Sequence, residues 1–262
     1  MRNKNQIRAG IPLDGRAADL EEQALGPLLN PIEHGLKNNK QILAIVNRDD
    51  DYRRRLMKIF AIDEKQISVQ HIAKAIASFE RTLIAGNSAF DRYYFGRDHS
   101  QLSDSAARGL LIFRRKGNCA NCHEISMSHA LFSDNRFYNI GIGSKSLNTV
   151  IDGFVTAVKQ GKDPERYSLT EKQRAELGRF NVTRAIADIG KFKTPSLRNI
   201  ALTGPYMHDG SLKTLEEVVE YYDKGGNQNR FKDPAIFPLN LTEQEKADLV
   251  EFLRALNSNG IK

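Results

Sequence analysis

The chain has no tryptophan, and its only two cysteines fall within one five-residue stretch. With no further cysteine there is no disulfide framework, and a structural zinc site would need two more soft or imidazole ligands at a matching spacing. No apolar run approaches the ~20 residues of a membrane span, and mean hydropathy is −0.49, which predicts a water-soluble globular protein. The opening Met1-Arg2-Asn3-Lys4-Asn5-Gln6 carries charge with no apolar stretch behind it, so no secretory signal is expected there. An acidic excess is also missing: 39 Lys and Arg stand against 32 Asp and Glu, for a net charge of +7. The basic residues are spread out, with Arg53-Arg54-Arg55 as a short run. That distribution argues against nucleic acid and for attraction to an acidic electron-transfer partner.

What is there centres on Cys119-Ala120-Asn121-Cys122-His123. Two thiols on one turn can each add to a vinyl group of a haem, and the adjacent imidazole can then bind the iron. C-x-x-C-H is the signature of c-type haem attachment, and an Fe–His bond is the usual proximal anchor. A thioredoxin-type pair would sit in a βαβ pattern, and none is visible. Bacterial c-type haem is attached outside the cytoplasm, so a periplasmic location is expected, with this chain a mature form or a shortened reading frame.

The remaining sequence predicts a mainly α protein. Asp19 followed by Glu22 resembles a capping-box start, with Leu20, Ala24 and Leu28 as one face until Pro27 and Pro31 break the helix. Helices are expected over 39–60 and 69–85, the second with Ile72, Ala75, Ile76, Phe79 and Leu83 as its buried stripe and His71 off it. Residues 86–101 read as a turn-rich boundary. A helix from Ser103-Asp104 runs into the haem motif, and 124–168 reads as a long loop region wrapped on haem. Capping boxes at Thr170, Thr214 and Thr242 open three later helices. His34, His99 and His129 lack companion spacing and are expected at the surface.

The other face of the iron has several candidates: Met207, His208, Tyr206, Tyr221 and Tyr222. Leu215, Val218, Val219 and Tyr222 fall on one helical face, so Tyr222 points inward while Tyr221 points about 100° away. A thioether ligand raises the haem potential, whereas a tyrosinate favours the ferric state. His208, in a turn before Gly210, is a candidate for bonding a haem propionate. The residue pattern alone does not choose among them.

From Asp14 to about Leu256 the chain resembles the dihaem cytochrome c peroxidase/MauG family. The matching pieces are Asp14-Gly15-Arg16-Ala17, Leu20-Glu21-Glu22-Gln23, Asn30-Pro31-Ile32-Glu33, Phe79-Glu80-Arg81-Thr82-Leu83, Gly109-Leu110-Leu111-Ile112-Phe113, the haem motif, Gly178-Arg179-Phe180, Lys193-Thr194-Pro195-Ser196-Leu197-Arg198-Asn199, and Thr203-Gly204-Pro205-Tyr206-Met207-His208-Asp209-Gly210. The resemblance implies a cytochrome c-like haem domain at 98–262, preceded by a helical remnant of a second such domain at 1–97. It implies that Cys119, Cys122 and His123 carry the electron-transfer haem. Tyr222 stands where the peroxidases have a methionine ligand and MauG-type proteins a tyrosine. Gln23 and Glu33 match polar residues over the peroxide-binding haem, and backbone oxygens of Thr203 and Pro205 match ligands of a calcium between the haems. The family's N-terminal C-x-x-C-H is absent, and Leu13 stands where the family usually has tryptophan. The calcium's side-chain ligand would lie upstream. The expected function is haem-mediated electron transfer toward hydrogen peroxide, fed by a small redox protein, with a homodimer as an open expectation for the assembly. A monohaem electron-transfer cytochrome and an inactive fragment are the competing readings.

Overall fold

Most helices start where a side chain accepts an amide left unpaired by the first turn. The computed structural model describes residues 13–258, so the opening residues 1–6 lie outside the described residues. Contacts divide these residues into two compact units, 16–84 and 13–15 with 85–258.

The first unit is four helices: α1 (Leu20–Leu29), α2 (Asn39–Asn47), α3 (Asp50–Phe60) and α4 (Val69–Glu80). Asp19 caps α1 by accepting from Glu22 N at 2.8 Å. Ile42, Leu56, Ile67, Val69 and Ile72 form this unit's core. Four sequence expectations are corrected here. Pro27 does not end α1, which continues to Leu29. The stretch 39–60 is two helices rather than one, because Asp49 caps α3 by accepting from Asp51 N and Tyr52 N. On α4, Phe79 is 63% exposed and Leu83 46%, so only the first part of the expected stripe is buried. His71 is half-buried rather than solvent-facing: its Nδ1 accepts from Ser68 N at 3.2 Å, and its ring lies 4.8 Å from that of Phe60.

The second unit holds α5 (Ala89–Tyr94), α6 (Asp104–Arg114), β1 (Phe137–Tyr138), α7 (Ser144–Leu147), α8 (Ile151–Lys159), α9 (Glu171–Glu176), α10 (Phe180–Thr183), β2 (Phe192–Lys193), α11 (Leu215–Asp223) and α12 (Glu243–Arg254). The strands pair antiparallel, Phe137 with Lys193 and Tyr138 with Phe192. Expected capping boxes open α9, α11 and α12. Residues 86–101 are more than a boundary: α5 lies there, with Phe90 fully buried. Nor is 124–168 a loop wrapped only on a cofactor. It contains β1, α7 and α8, and Leu147, Ile151, Phe154 and Val155 build a second core with Leu177, Phe180 and Ile189.

The main core gathers Phe90, Phe113, Phe132 and Phe252, all essentially inaccessible. Each such burial stabilises by roughly 1.5–3 kcal/mol. Helices α6 and α12 cross with no clearance at Gly109, where an added Cβ would stand 2.0 Å from the Asp248 carbonyl. The buried Asp248 carboxylate locks the same crossing. It accepts from Arg108 Nε at 2.7 Å, Ser105 Oγ at 2.6 Å and Gln244 Nε2 at 3.0 Å. The Arg108 guanidinium holds this carboxyl well below its usual range, with burial opposing. A depressed folded-state value gives stability present above the unfolded carboxylate pKa of about 3.9 and lost as pH falls through it. The urea midpoint is therefore expected to drop below about pH 4, and Asp248→Asn should flatten that drop while lowering the midpoint at pH 7. An unchanged acid slope in the variant would contradict this.

Candidate haem site

Helix α6 delivers the motif. Past its end Gly117 N donates to Ile112 O at 2.8 Å, Asn118 turns at φ +55°, and a 3-10 turn spans Cys119–Asn121. Gly117 is required by space, since a Cβ there would lie 2.9 Å from Ile112 O. The Cys122 and His123 amides both donate to Cys119 O, at 3.2 and 2.9 Å, so both thiols and the imidazole share one turn.

Burial pushes the Cys119 thiol up to about 12. Cys122 is raised too, mainly by burial, although a hydrogen bond with Tyr138 works the other way. A redox C-x-x-C needs the opposite, a depressed pKa that supplies thiolate. Nor do three His, Cys, Asp or Glu side chains cluster as a metal site among the described residues.

His123 is oriented for ligation. Its Nδ1 stands 2.8 Å from the Phe132 carbonyl. A carbonyl only accepts, so Nδ1 carries the proton and Nε2 keeps its lone pair for a metal, the usual way a partner fixes the tautomer of a ligand histidine. Burial lowers the His123 pKa against the pull of the Phe132 carbonyl, which favours the neutral ligand form. Phe132 is itself held by Arg198, whose Nε donates to Ala130 O at 2.9 Å and whose guanidinium lies 5.1 Å from the Phe132 ring centroid. Arg198 Nη1 in turn pairs with Asp91 of α5 at 2.6 Å. Sequence reading missed Arg198 and Asp91 as supports, because their pairing spans more than a hundred residues and leaves no local signature.

Tyr222 and Tyr221 differ as the helical face predicts. The Tyr221 hydroxyl donates to Ile140 O at 2.8 Å and accepts from Asn227 N at 3.1 Å. Tyr222 packs on the main core, and burial, then the neighbouring Cys119 and Cys122 thiols, raise its pKa. Its hydroxyl bonds no described residue, and the side chain is half-buried, so the oxygen stays open to a further partner. Two protonated thiols, a neutral imidazole whose Nδ1 is bonded to a backbone carbonyl and a phenol on the thiols' side form a donor set that fits a covalently held haem.

The other candidates are placed as follows. Tyr206 is buried in the core, and Met207 is half-buried at φ +68°. The His208 Nε2 lies 2.7 Å from Glu176 Oε2, with Phe192 stacked on its ring at 3.7 Å, so only Nδ1 is left for a propionate. Glu176 is buried and was not anticipated. Thr203 is exposed and Pro205 half-buried. Gln23, on α1, and Glu33, in the turn after it, are half-buried in the first unit. His34, His99 and His129 are exposed. The Asp14-Gly15 pair is tied to the second unit by Arg179, whose Nη1 donates to both carbonyls at 3.0 and 2.7 Å.

A family model for di-haem cytochrome c peroxidase matches residues 4–99, and one for cytochrome c matches 106–257. A crystal structure of a MauG-like protein associated with microbial copper homeostasis superposes with TM-score 0.70 and 32% identity, covering 92% of this chain and 69% of that one. The chain belongs to the dihaem cytochrome c peroxidase/MauG family. Among curated relatives, the methylamine utilization protein MauG of Methylophilus methylotrophus is 32% identical over 251 residues, 95% of this chain and 64% of that protein. The cytochrome c peroxidase Ccp of Escherichia coli (strain K12) is 32% identical over 247 residues, 93% of this chain and 44% of that protein. The chain thus spans less than two thirds of these curated relatives. Its cytochrome c domain makes haem c the cofactor, and no helix among the described residues is long and apolar enough to cross a membrane.

Proposed function

We propose that the chain is an oxidoreductase that passes electrons through a haem held by Cys119, Cys122 and His123 toward reduction of hydrogen peroxide in the periplasm. The observation that carries this reading is the single turn that presents both thiols beside an imidazole whose Nδ1 bonds the Phe132 carbonyl. The bound haem supplies a one-electron ferric/ferrous couple. Cys119 and Cys122 would hold the haem covalently, and His123 and Tyr222 would be its nitrogen and oxygen donors to the iron. His208 would hold a propionate through Nδ1, with Glu176 keeping its ring in place. Where a second, peroxide-binding haem is present, Glu33 would move the proton that O–O cleavage requires, with Gln23 as a further polar group there. Calcium, where bound, takes the backbone oxygens of Thr203 and Pro205. The basic balance of +7 suits a small acidic redox protein as donor.

One C-x-x-C-H rather than two favours a second reading, a monohaem relay that never meets peroxide. The readings separate by stopped-flow spectroscopy of the haem-loaded chain. Slow spectral change with peroxide, accelerated when a polypeptide carrying the N-terminal haem segment of a relative is added, supports the peroxidase reading. No acceleration supports the relay, and rapid turnover by this chain alone would contradict both.

A further inference from the structure

Asp134 has no part in the site as described, yet it is built into it. Its amide donates to the Cys122 carbonyl at 2.9 Å, which pins it beside the haem motif. Its carboxylate accepts from the Tyr138 hydroxyl at 2.6 Å and the Arg136 amide at 2.9 Å, and bonds the Thr194 side chain as well. Burial works against its ionisation, but these donors win and hold the carboxyl below its usual range. Its negative charge is felt at both His123 and Cys122. Asp233 adds a second negative charge toward Cys122, and the half-buried Lys193 opposes Asp134 from β2, its Nζ bonded to Thr194 O at 3.0 Å.

We propose that Asp134, clamped by Tyr138, Thr194 and the Arg136 amide, is the fixed negative charge that sets the reduction potential of the haem held at Cys119, Cys122 and His123. The proposal rests on the haem reading above. A ferric centre carries one more positive charge than a ferrous one, so a nearby carboxylate stabilises the oxidised state and lowers the potential. Asp134 is half-buried, so solvent screens only part of that effect. The clamp matters because it keeps the charge ionised and in one place. Lys193 tempers the effect, which makes the pair adjustable in opposite directions.

Spectroelectrochemical titration of the haem-loaded protein tests this. Asp134→Asn should raise the midpoint, so that at the wild-type midpoint the ferrous-to-ferric ratio rises about tenfold, the size expected for one charge acting over roughly 10 Å in a partly buried setting. Asp134→Glu should restore most of the shift, and Lys193→Met should move the midpoint downward. An unmoved or lowered midpoint in Asp134→Asn overturns the proposal. Should that variant fail to mature, an unmoved or raised midpoint in Lys193→Met does the same. Haem content is measured separately: a colourless wild-type product removes the haem reading itself, whereas a coloured one with unshifted potentials overturns only the role of Asp134.

Discussion

A chain carrying Cys119→Ala and Cys122→Ala, exported to a periplasm that matures c-type cytochromes, is expected to emerge with an unmodified mass and no haem-stained band after denaturation. The wild-type chain should carry one haem and keep it through denaturation, since thioether bonds survive unfolding. The contrast is all-or-none because no other thiol exists in the chain. The half-buried, protonated state of both thiols fits this role: they are poor nucleophiles for disulfide chemistry and remain reduced until each is added to a vinyl carbon. His123 alone could still bind free haem through Nε2, but such haem would be extracted by acid and organic solvent. A covalently pigmented double variant would refute the attachment assignment.

The second large effect concerns the iron's other face. Tyr222→Phe is expected to change the haem spectrum and raise the midpoint by on the order of 0.1 V, because axial ligands set haem potentials over a wide range and loss of an anionic oxygen favours the ferrous state. Met207→Leu should leave both nearly unchanged, and the wild-type protein should lack a methionine–iron charge-transfer band. The case rests on the contrast within α11. Tyr221 is anchored by two hydrogen bonds to the loops beside it, which fixes the helix rotation and turns the unpaired Tyr222 phenol toward the thiols. The reverse order of effects would transfer the ligand to Met207.

Much of this was legible in the residues, where the signal is local. The threonine capping boxes of α9, α11 and α12 announce their helices because cap and reciprocal partner lie three residues apart. The haem motif is likewise contained in one turn, and the inward face of Tyr222 follows from helical spacing. What was hidden depends on distant partners. Residues 147–155 show no sustained period in the sequence, and they become a core only against Leu177, Phe180 and Ile189. Phe79 and Leu83 extend an apolar period that packing does not use. Arg198, Asp91, Asp134 and Glu176 read as ordinary surface charges until the fold places them behind the haem residues.

The no-clearance crossing at Gly109 bears on the order of events in the cell. Helix α12 is the last described helix to be translated, and the wall it forms against α6 joins parts of the chain separated by more than a hundred residues. Contacts so far apart close late. Until they close, the turn bearing Cys119 and Cys122 lacks its final wall and stays open to attachment of the haem. Docking of the final helix then shuts the door behind the cofactor.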